Sequence, residues 1–370
     1  MRVDNPLISL DQVVLIPEPL SKVDSRKDVN PFDANGKLPV FVAPMTCIVD
    51  KSNYDKFNSK TYAILPVRPN SYFNTEHLSN GWFACPFDHF KGFVERTEKI
   101  DEKHYFVCVD MADGHIASLY TYVRKFKKLY PNSEVMVGNI ANAQTYEECC
   151  KAGVDYVRVG IGGGNGCVTS VRTGFHNSIV DMLDRINEIK RDMRLGNYGS
   201  HPEYKITKVV ADGGIDSIGK AIKCLALGAD YVMMGRMFAQ CSDSVGRSYF
   251  AGSMDELREK TGEPFLTASE ELEKRLAICE RTDVEIFVKE YYGQSSEEGQ
   301  KDRFGKVKSA PEGVKIYLYS PYTYAQFVQQ FESYLRSAMS YNGSFTLDEF
   351  IGRVRWNVQT LSEFNSYNKH

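Results

Sequence analysis

Eight short runs rich in β-branched and aromatic residues recur at fairly even intervals along the first two-thirds of the chain, each ending in a loop that carries Gly, Asp, Asn or Pro. They are LPVFVAPM (38–45), YAILPV (62–67), GWFACP (81–86), YFVCVD (105–110), EVMVGNI (134–140), YVRVGIG (156–162), KVVADGG (208–214) and YVMMGR (231–236). Between the fourth and fifth runs lies HIASLYTYVRKFKKLY, where Ile116, Leu119, Val123, Phe126 and Leu129 recur at helical spacing. SIGKAIKCLALGA repeats the arrangement between the seventh and eighth. Near-continuous apolar strands joined by helical crossovers describe an α/β chain with a parallel sheet buried on both faces, and eight is the number that closes a (β/α)8 barrel. A doubly wound open sheet is the alternative.

In a barrel the functional groups sit at the C-terminal ends of the strands. Those ends carry Met45, Asp110, Asn139, a glycine-rich loop, Asp212 with Gly213 and Gly214, and Gly235 with Arg236. After the eighth run, residues 241–315 turn rich in charge, Gly and Ser, which reads as a lid or a disordered surface loop, most polar at SSEEGQKDRFGKVKSAPEG (295–313). The end of the chain returns to helix, with Thr346 and Glu349 in a capping-box arrangement. No domain linker is visible, so residues 1–370 read as one domain.

With 370 residues, 42% hydrophobic content and a formal net charge of −3, nucleic acid is not an evident partner. No stretch reaches the ~20 apolar residues a membrane span needs, and MRVDNPLISLDQ lacks the basic-then-apolar pattern of a signal peptide. A cytoplasmic protein is expected. Nine cysteines, at 47, 85, 108, 149, 150, 167, 224, 241 and 279, form neither a disulfide framework nor a CxxC zinc pair, and most read as buried thiols.

Within VRVGIGGGNGCVTSVRTG (157–174), five glycines and Cys167 crowd into residues 160–167. Glycines at 160, 162, 163, 164 and 166 let backbone N–H and C=O groups approach a ligand, which suits an anion or a monovalent cation. A lone glycine string is weak support for a dinucleotide fingerprint, and no P-loop Lys-Ser/Thr follows. Cys167 sits just past a strand end with Thr169 and Ser170 close behind, the setting of a nucleophile as much as of a buried loop cysteine. Other residues keep two readings. Asp212 either caps the helix starting near Ser217 or meets a ribose diol beside a phosphate; Asp110 is a turn or a site aspartate; Arg236 meets phosphate or solvent. His115 and His176 read as loop residues, and Glu312 by itself as a solvated charge.

Taken in order, the glycine loop with its cysteine, DGGI, MxGRMFA, YYGQSS and PEG resemble the IMP dehydrogenase and GMP reductase family. The resemblance runs from LISLDQVVLIPEPLSKVDSRKDV (7–29) through LPVFVAPM, VDMADG and VGN to LRSAMSYNG (335–343). It implies a TIM barrel with a C-terminal flap insertion and no CBS domains, assembled as a homotetramer. By the same resemblance Cys167 is the nucleophile that attacks C2 of a purine nucleotide to give a thioimidate, with Thr169 and Glu312 as the other catalytic residues. The substrate, GMP or IMP, would lie against Met45, Asp212, Gly213, Gly214, Gly235, Arg236, Gly293, Gln294 and Ser295. The nicotinamide dinucleotide would meet Asp110, Met111, Ala112, Asn139, Ile161 and Gly162, with Ser25 and Arg26 contributed across a subunit boundary. Carbonyls of Gly162, Gly164 and Cys167 would hold potassium.

Two opposite reactions share this apparatus: reductive deamination of GMP with NADPH, and oxidation of IMP to XMP with NAD+. The missing regulatory domains, the short interval from Gly293 to Glu312, and the segments SRKDV and KEYYGQSSE favour the reductase. Asp302-Arg303-Phe304 resembles the Asp-Arg-Tyr of the dehydrogenase flap, but Phe304 lacks the hydroxyl, and Arg303 reads as an exposed arginine in a charged loop. The chain departs from the family pattern at Asn165, Gly163, Ser170 and in PMTCIVD after Met45. A purine-nucleotide-binding protein without turnover is the reading from another class.

Overall fold

The computed structural model describes residues 7–66, 81–100, 103–164, 168–196, 204–282 and 284–367. A strand β1 (Val13–Ile16) precedes the eight runs, which become β2 (Val40–Val42), β3 (Tyr62–Leu65), β4 (Trp82–Cys85), β5 (Phe106–Asp110), β6 (Glu134–Ile140), β7 (Tyr156–Val159), β8 (Lys208–Asp212) and β9 (Tyr231–Met234). Strands β2 to β9 pair in chain order, all in parallel, and β9 closes on β2. The barrel is the expected one, and the open-sheet alternative is ruled out.

Alternation along each strand divides the core in two. Val40, Val42, Val107, Val109, Val157, Val159 and Val209 pack outward in the larger core, against the surrounding helices. Phe41, Ile64, Trp82, Cys108, Met136, Tyr156, Val210, Tyr231 and Met233 point inward. The rings plug the barrel: Phe41 meets Tyr62 at 5.0 Å, Trp82 at 5.7 Å and Tyr231 at 5.3 Å between centroids. Phe41, 1% exposed, is central to this plug. Phe41→Ala is expected to destabilise the protein by about 3–5 kcal/mol, read as a lower urea midpoint at unchanged slope.

The helix Ala117–Leu129 buries Leu119, Val123 and Phe126 as its spacing predicts, while Ile116 is its exposed N-cap residue. Ser217, not Asp212, caps the helix Ile218–Ala226, its hydroxyl accepting from the Lys220 N–H. That leaves Asp212 for another role. At the end of the chain the Glu349 carboxylate reaches back to the N–H groups of Phe345 and Thr346, as expected of the capping-box residue.

The insertion is more ordered than its composition suggests. Strands β10 (Ser248–Ala251), β11 (Ile286–Tyr292) and β12 (Lys315–Tyr319) form an antiparallel sheet in that order. Helices Met254–Thr261 and Glu270–Thr282 supply Leu257, Leu272 and Leu276 to a small core with Ala251, Val288 and Tyr317. The charged residues cover this core, and the apolar positions at helical and strand spacing build it. The helix Tyr324–Tyr341 then buries Phe327, Phe331, Leu335 and Met339. A last strand, β13 (Arg355–Val358), pairs antiparallel with β1.

Candidate active site

The inward register that stacks aromatic rings at the bottom of the barrel places charge at its top. Two residues beyond Cys108, Tyr156 and Val210 come Asp110, Arg158 and Asp212, on the same inner face at the C-terminal strand ends. The Arg158 guanidinium joins both aspartates. Its Nη1 donates to Asp110 Oδ1 at 2.5 Å, and its Nε and Nη2 donate to Asp212 Oδ2 at 3.0 and 2.8 Å. Asn139 Nδ2 donates to the same Asp212 oxygen at 2.8 Å and to the Gly160 carbonyl at 2.7 Å. Gly138 makes the room for this cluster, since a Cβ there would lie 2.7 Å from the Arg158 Cβ. Burial disfavours the Asp110 carboxylate, yet Arg158 and Arg303 outweigh it and hold the group below the usual carboxylate range.

These residues open into a cleft lined by Met45, Asp110, Met111, Ala112, Asn139, Ile161, Gly162, Gly164, Thr169, Asp212, Gly213, Gly214, Gly235, Arg236, Gly293, Gln294, Ser295 and Glu312. Residues far apart in sequence thus meet as expected. Cys167, with Asn165 and Gly166, lies outside the described residues. Its flanks are placed: Gly164 lines the cleft, and the Val168 N–H donates to the Glu312 carbonyl at 2.8 Å. Ser25 and Arg26 are not brought to this cleft. Ser25 caps a short helical turn, and Arg26 donates to Ser337 Oγ at 3.3 Å.

Glu312 is no solvated charge. Its Oε2 accepts from Thr169 Oγ1 at 2.6 Å, and its N–H donates to the Ser295 carbonyl at 3.0 Å. One residue therefore ties the loop after β7 to the loop after β11. Gln294 donates from Nε2 to the Pro44 carbonyl, and its Oε1 is buried with no partner among the described residues. A buried acceptor without a donor is costly, and a ligand N–H in the cleft would satisfy it. Arg236 lines the cleft with no ion pair among the described residues, so its charge is available to an anion.

Two arginines fall differently from their sequence reading. Arg158 carries no motif that marks it in the sequence, yet a cation at an inward position of a barrel strand requires buried partners, and Asp110 and Asp212 provide them. Arg303 is not an exposed arginine: its side chain is 12% exposed and lies 3.3 Å from Asp110 Oδ2. The cause is its neighbour. Asp302 Oδ2 accepts from Thr46 Oγ1 at 2.7 Å and Tyr292 Oη at 2.6 Å, which docks the helix Glu297–Phe304 over the barrel mouth. His176 Nδ1 lies 2.8 Å from the Ile161 carbonyl, a loop contact consistent with its sequence reading.

Eight cysteines among the described residues are free and buried. Burial pushes the thiols of Cys47, Cys108 and Cys224 up to about 12, so they stay protonated at neutral pH and are poor nucleophiles.

A parallel eight-stranded barrel with a charged, glycine-lined cleft at its C-terminal mouth is the architecture of a barrel enzyme. A model of the IMP dehydrogenase / GMP reductase domain matches residues 84–370, and the chain belongs to that family of oxidoreductases. It is similar to the GMP reductase of Photobacterium profundum, 28% identical over 298 residues that cover 80% of this chain and 72% of the relative. The GMP reductase of Streptococcus pyogenes serotype M49 is 27% identical over 361 residues, 93% of each chain. The inosine-5'-monophosphate dehydrogenase of Nitrosopumilus maritimus is 38% identical over a shorter stretch of 155 residues, 42% of this chain and 30% of that one.

Proposed function

We propose that the protein is a GMP reductase, converting GMP and NADPH to IMP, NADP+ and ammonia. The observation that carries this reading is the hydrogen bond from Thr169 to Glu312 at 2.6 Å on the wall of the cleft, two residues from Cys167. In this reading the Cys167 thiolate adds to C2 of the purine, and the C2 amino group leaves as ammonia. A carboxyl in contact with a hydroxyl can relay the proton the leaving amine needs, so Glu312 and Thr169 serve departure. NADPH, when bound, supplies the hydride that converts the C2 thioimidate, and loss of the thiolate then gives IMP.

The remaining residues divide the nucleotide among them. Asp212, with one carboxylate oxygen engaged by Arg158 and Asn139, offers the other to the ribose. Gly213, Gly214 and Gly235 let the backbone approach the phosphate, and Arg236 supplies its counter-charge. Met45, Gly293, Gln294 and Ser295 surround the base, whose N1–H would satisfy the buried Gln294 Oε1. The dinucleotide lies toward Asp110, Met111, Ala112, Asn139, Ile161 and Gly162. Because Arg158 and Arg303 hold one oxygen of Asp110 each, a ligand that takes Asp110 displaces Arg303. In a homotetramer, Ser25 and Arg26 would reach the neighbouring subunit's dinucleotide. Potassium would use the carbonyls of Gly162, Gly164 and Cys167. The Gly162 carbonyl takes the Ser170 hydroxyl at 3.2 Å on one lone pair, which leaves a second for a hard cation.

Arg303 favours a second reading, IMP dehydrogenase, because a guanidinium inside the cleft can orient the water that reaction consumes. Phe304 supplies no hydroxyl to assist it. A nucleotide-binding protein without turnover has no use for the Thr169–Glu312 pair. Steady-state kinetics of Arg236→Ala test the phosphate assignment. KM for GMP is expected to rise about 10- to 100-fold with kcat nearly unchanged, the loss of a charged hydrogen bond made equally in ground and transition states. An unchanged KM would remove Arg236 from the phosphate site.

A further inference from the structure

Arg158 is 8% exposed, and its three hydrogen bonds to carboxylates end on two different aspartates. A guanidinium presents donors along a rigid fork, so one group holds two carboxylates at a fixed mutual orientation. Asp212 is braced on one oxygen alone: Oδ2 accepts from Arg158 and Asn139, and Oδ1 accepts from no described residue. Asp110 is braced at Oδ1 by Arg158, while its Oδ2 faces Arg303 of the insertion. The fixed oxygens face the Arg158 guanidinium, and both aspartates line the cleft together with Arg158 and Arg303.

We infer that Arg158 is a positioning residue shared by two ligand half-sites, orienting Asp212 for the purine nucleotide and Asp110 for the dinucleotide. The inference rests on the nucleotide reading above and adds to it that both ligands depend on one side chain touching neither reacting atom. Lysine keeps the charge but concentrates its donors at one point, so it reproduces the fixed mutual orientation of neither aspartate. The charged and titratable groups around Asp110 are Arg158, Arg303, Cys108 and Cys85, with Asp212 on the far side of the same guanidinium. Without Arg158, the balance between burial and positive charge at Asp110 shifts toward the protonated acid.

The test is calorimetric titration of the full chain with GMP and, separately, with NADP+. Asp212→Asn is expected to weaken GMP alone and Asp110→Asn to weaken NADP+ alone. Arg158→Lys is expected to weaken both by about tenfold or more, at a melting temperature close to that of the wild type. Arg158→Met adds a readout that a merely structural role would not move. Its NADP+ affinity falls more steeply than that of the wild type as pH is lowered, because Asp110 has lost the guanidinium that holds its carboxylate charged, whereas the titration of the ligand's own phosphate is common to both proteins. Adding Asp110→Asn abolishes the difference. Should Arg158→Lys fail to fold, the charge-neutral pair Arg158→Met with Asp110→Asn replaces it, with GMP affinity again expected to fall. A weakening confined to one ligand, a pH profile for Arg158→Met parallel to that of the wild type, or unchanged GMP affinity in the double variant overturns the shared role. Wild-type protein that binds neither ligand overturns the nucleotide reading and this inference with it, whereas wild-type binding unaffected by Arg158→Lys overturns the inference alone.

Discussion

Cys167→Ala is expected to lower turnover of GMP by roughly 10⁴-fold or more, the scale on which removing a covalent nucleophile acts. GMP affinity should stay within about threefold, because the phosphate, ribose and base contacts come from other residues. Burial holds the thiols of Cys47, Cys108 and Cys224 protonated. The nearest described residues on either side of Cys167 in the sequence are Gly164, on the cleft wall, and Val168, whose N–H donates to the Glu312 carbonyl. Single-turnover kinetics with excess enzyme make the measurement without interference from product release. A variant that retained a tenth of wild-type turnover would show that no covalent step passes through this residue.

Glu312→Gln is expected to lower kcat by about 10²- to 10⁴-fold with a much smaller change in KM, the contribution usual for a positioned acid or base. Glutamine still accepts a hydrogen bond from the Thr169 hydroxyl and preserves the geometry observed at 2.6 Å, but it does not take up and return a proton. Thr169→Val removes the other member of the pair. If the two residues act as one relay, the double variant is little worse than the worse single one. Additive losses would assign them separate roles. Replacement of ammonia departure by a hydride assay that starts from IMP and NADP+ with ammonia probes the same step in reverse.

Much of the fold was legible because its signals are local. Each of the eight runs becomes a barrel strand, since a strand buried on both faces must be apolar throughout, and the glycines and aspartates that end each run are what a barrel mouth needs. Met45, Asp110, Asn139, Asp212 and Gly235 follow from the same logic, whereas Gly293, Gln294, Ser295 and Glu312 are reached only through the family resemblance. Arg158 was hidden because a charge inside YVRV gives no sign of its partners: Asp110 and Asp212 lie 48 and 54 residues away in the chain. Arg303 was misread because its burial depends on Asp302, whose partners Thr46 and Tyr292 come from two other elements. The insertion concealed a core to which Leu272 and Leu276 contribute at helical spacing beneath a charged surface. Ser217, and not Asp212, caps the helix because it stands immediately before it, where a hydroxyl reaches the free N–H groups, which removes one of the two readings of Asp212.

The central claim is the reaction and its direction. The nicotinamide absorbance of purified protein, followed with GMP plus NADPH and in parallel with IMP plus NAD+, each with and without potassium, tests it most directly. The account predicts loss of reduced nicotinamide with GMP, release of one ammonia per dinucleotide oxidised, and no response to IMP plus NAD+. A rise in reduced nicotinamide with IMP, abolished by Arg303→Ala, would contradict it and make the protein a dehydrogenase.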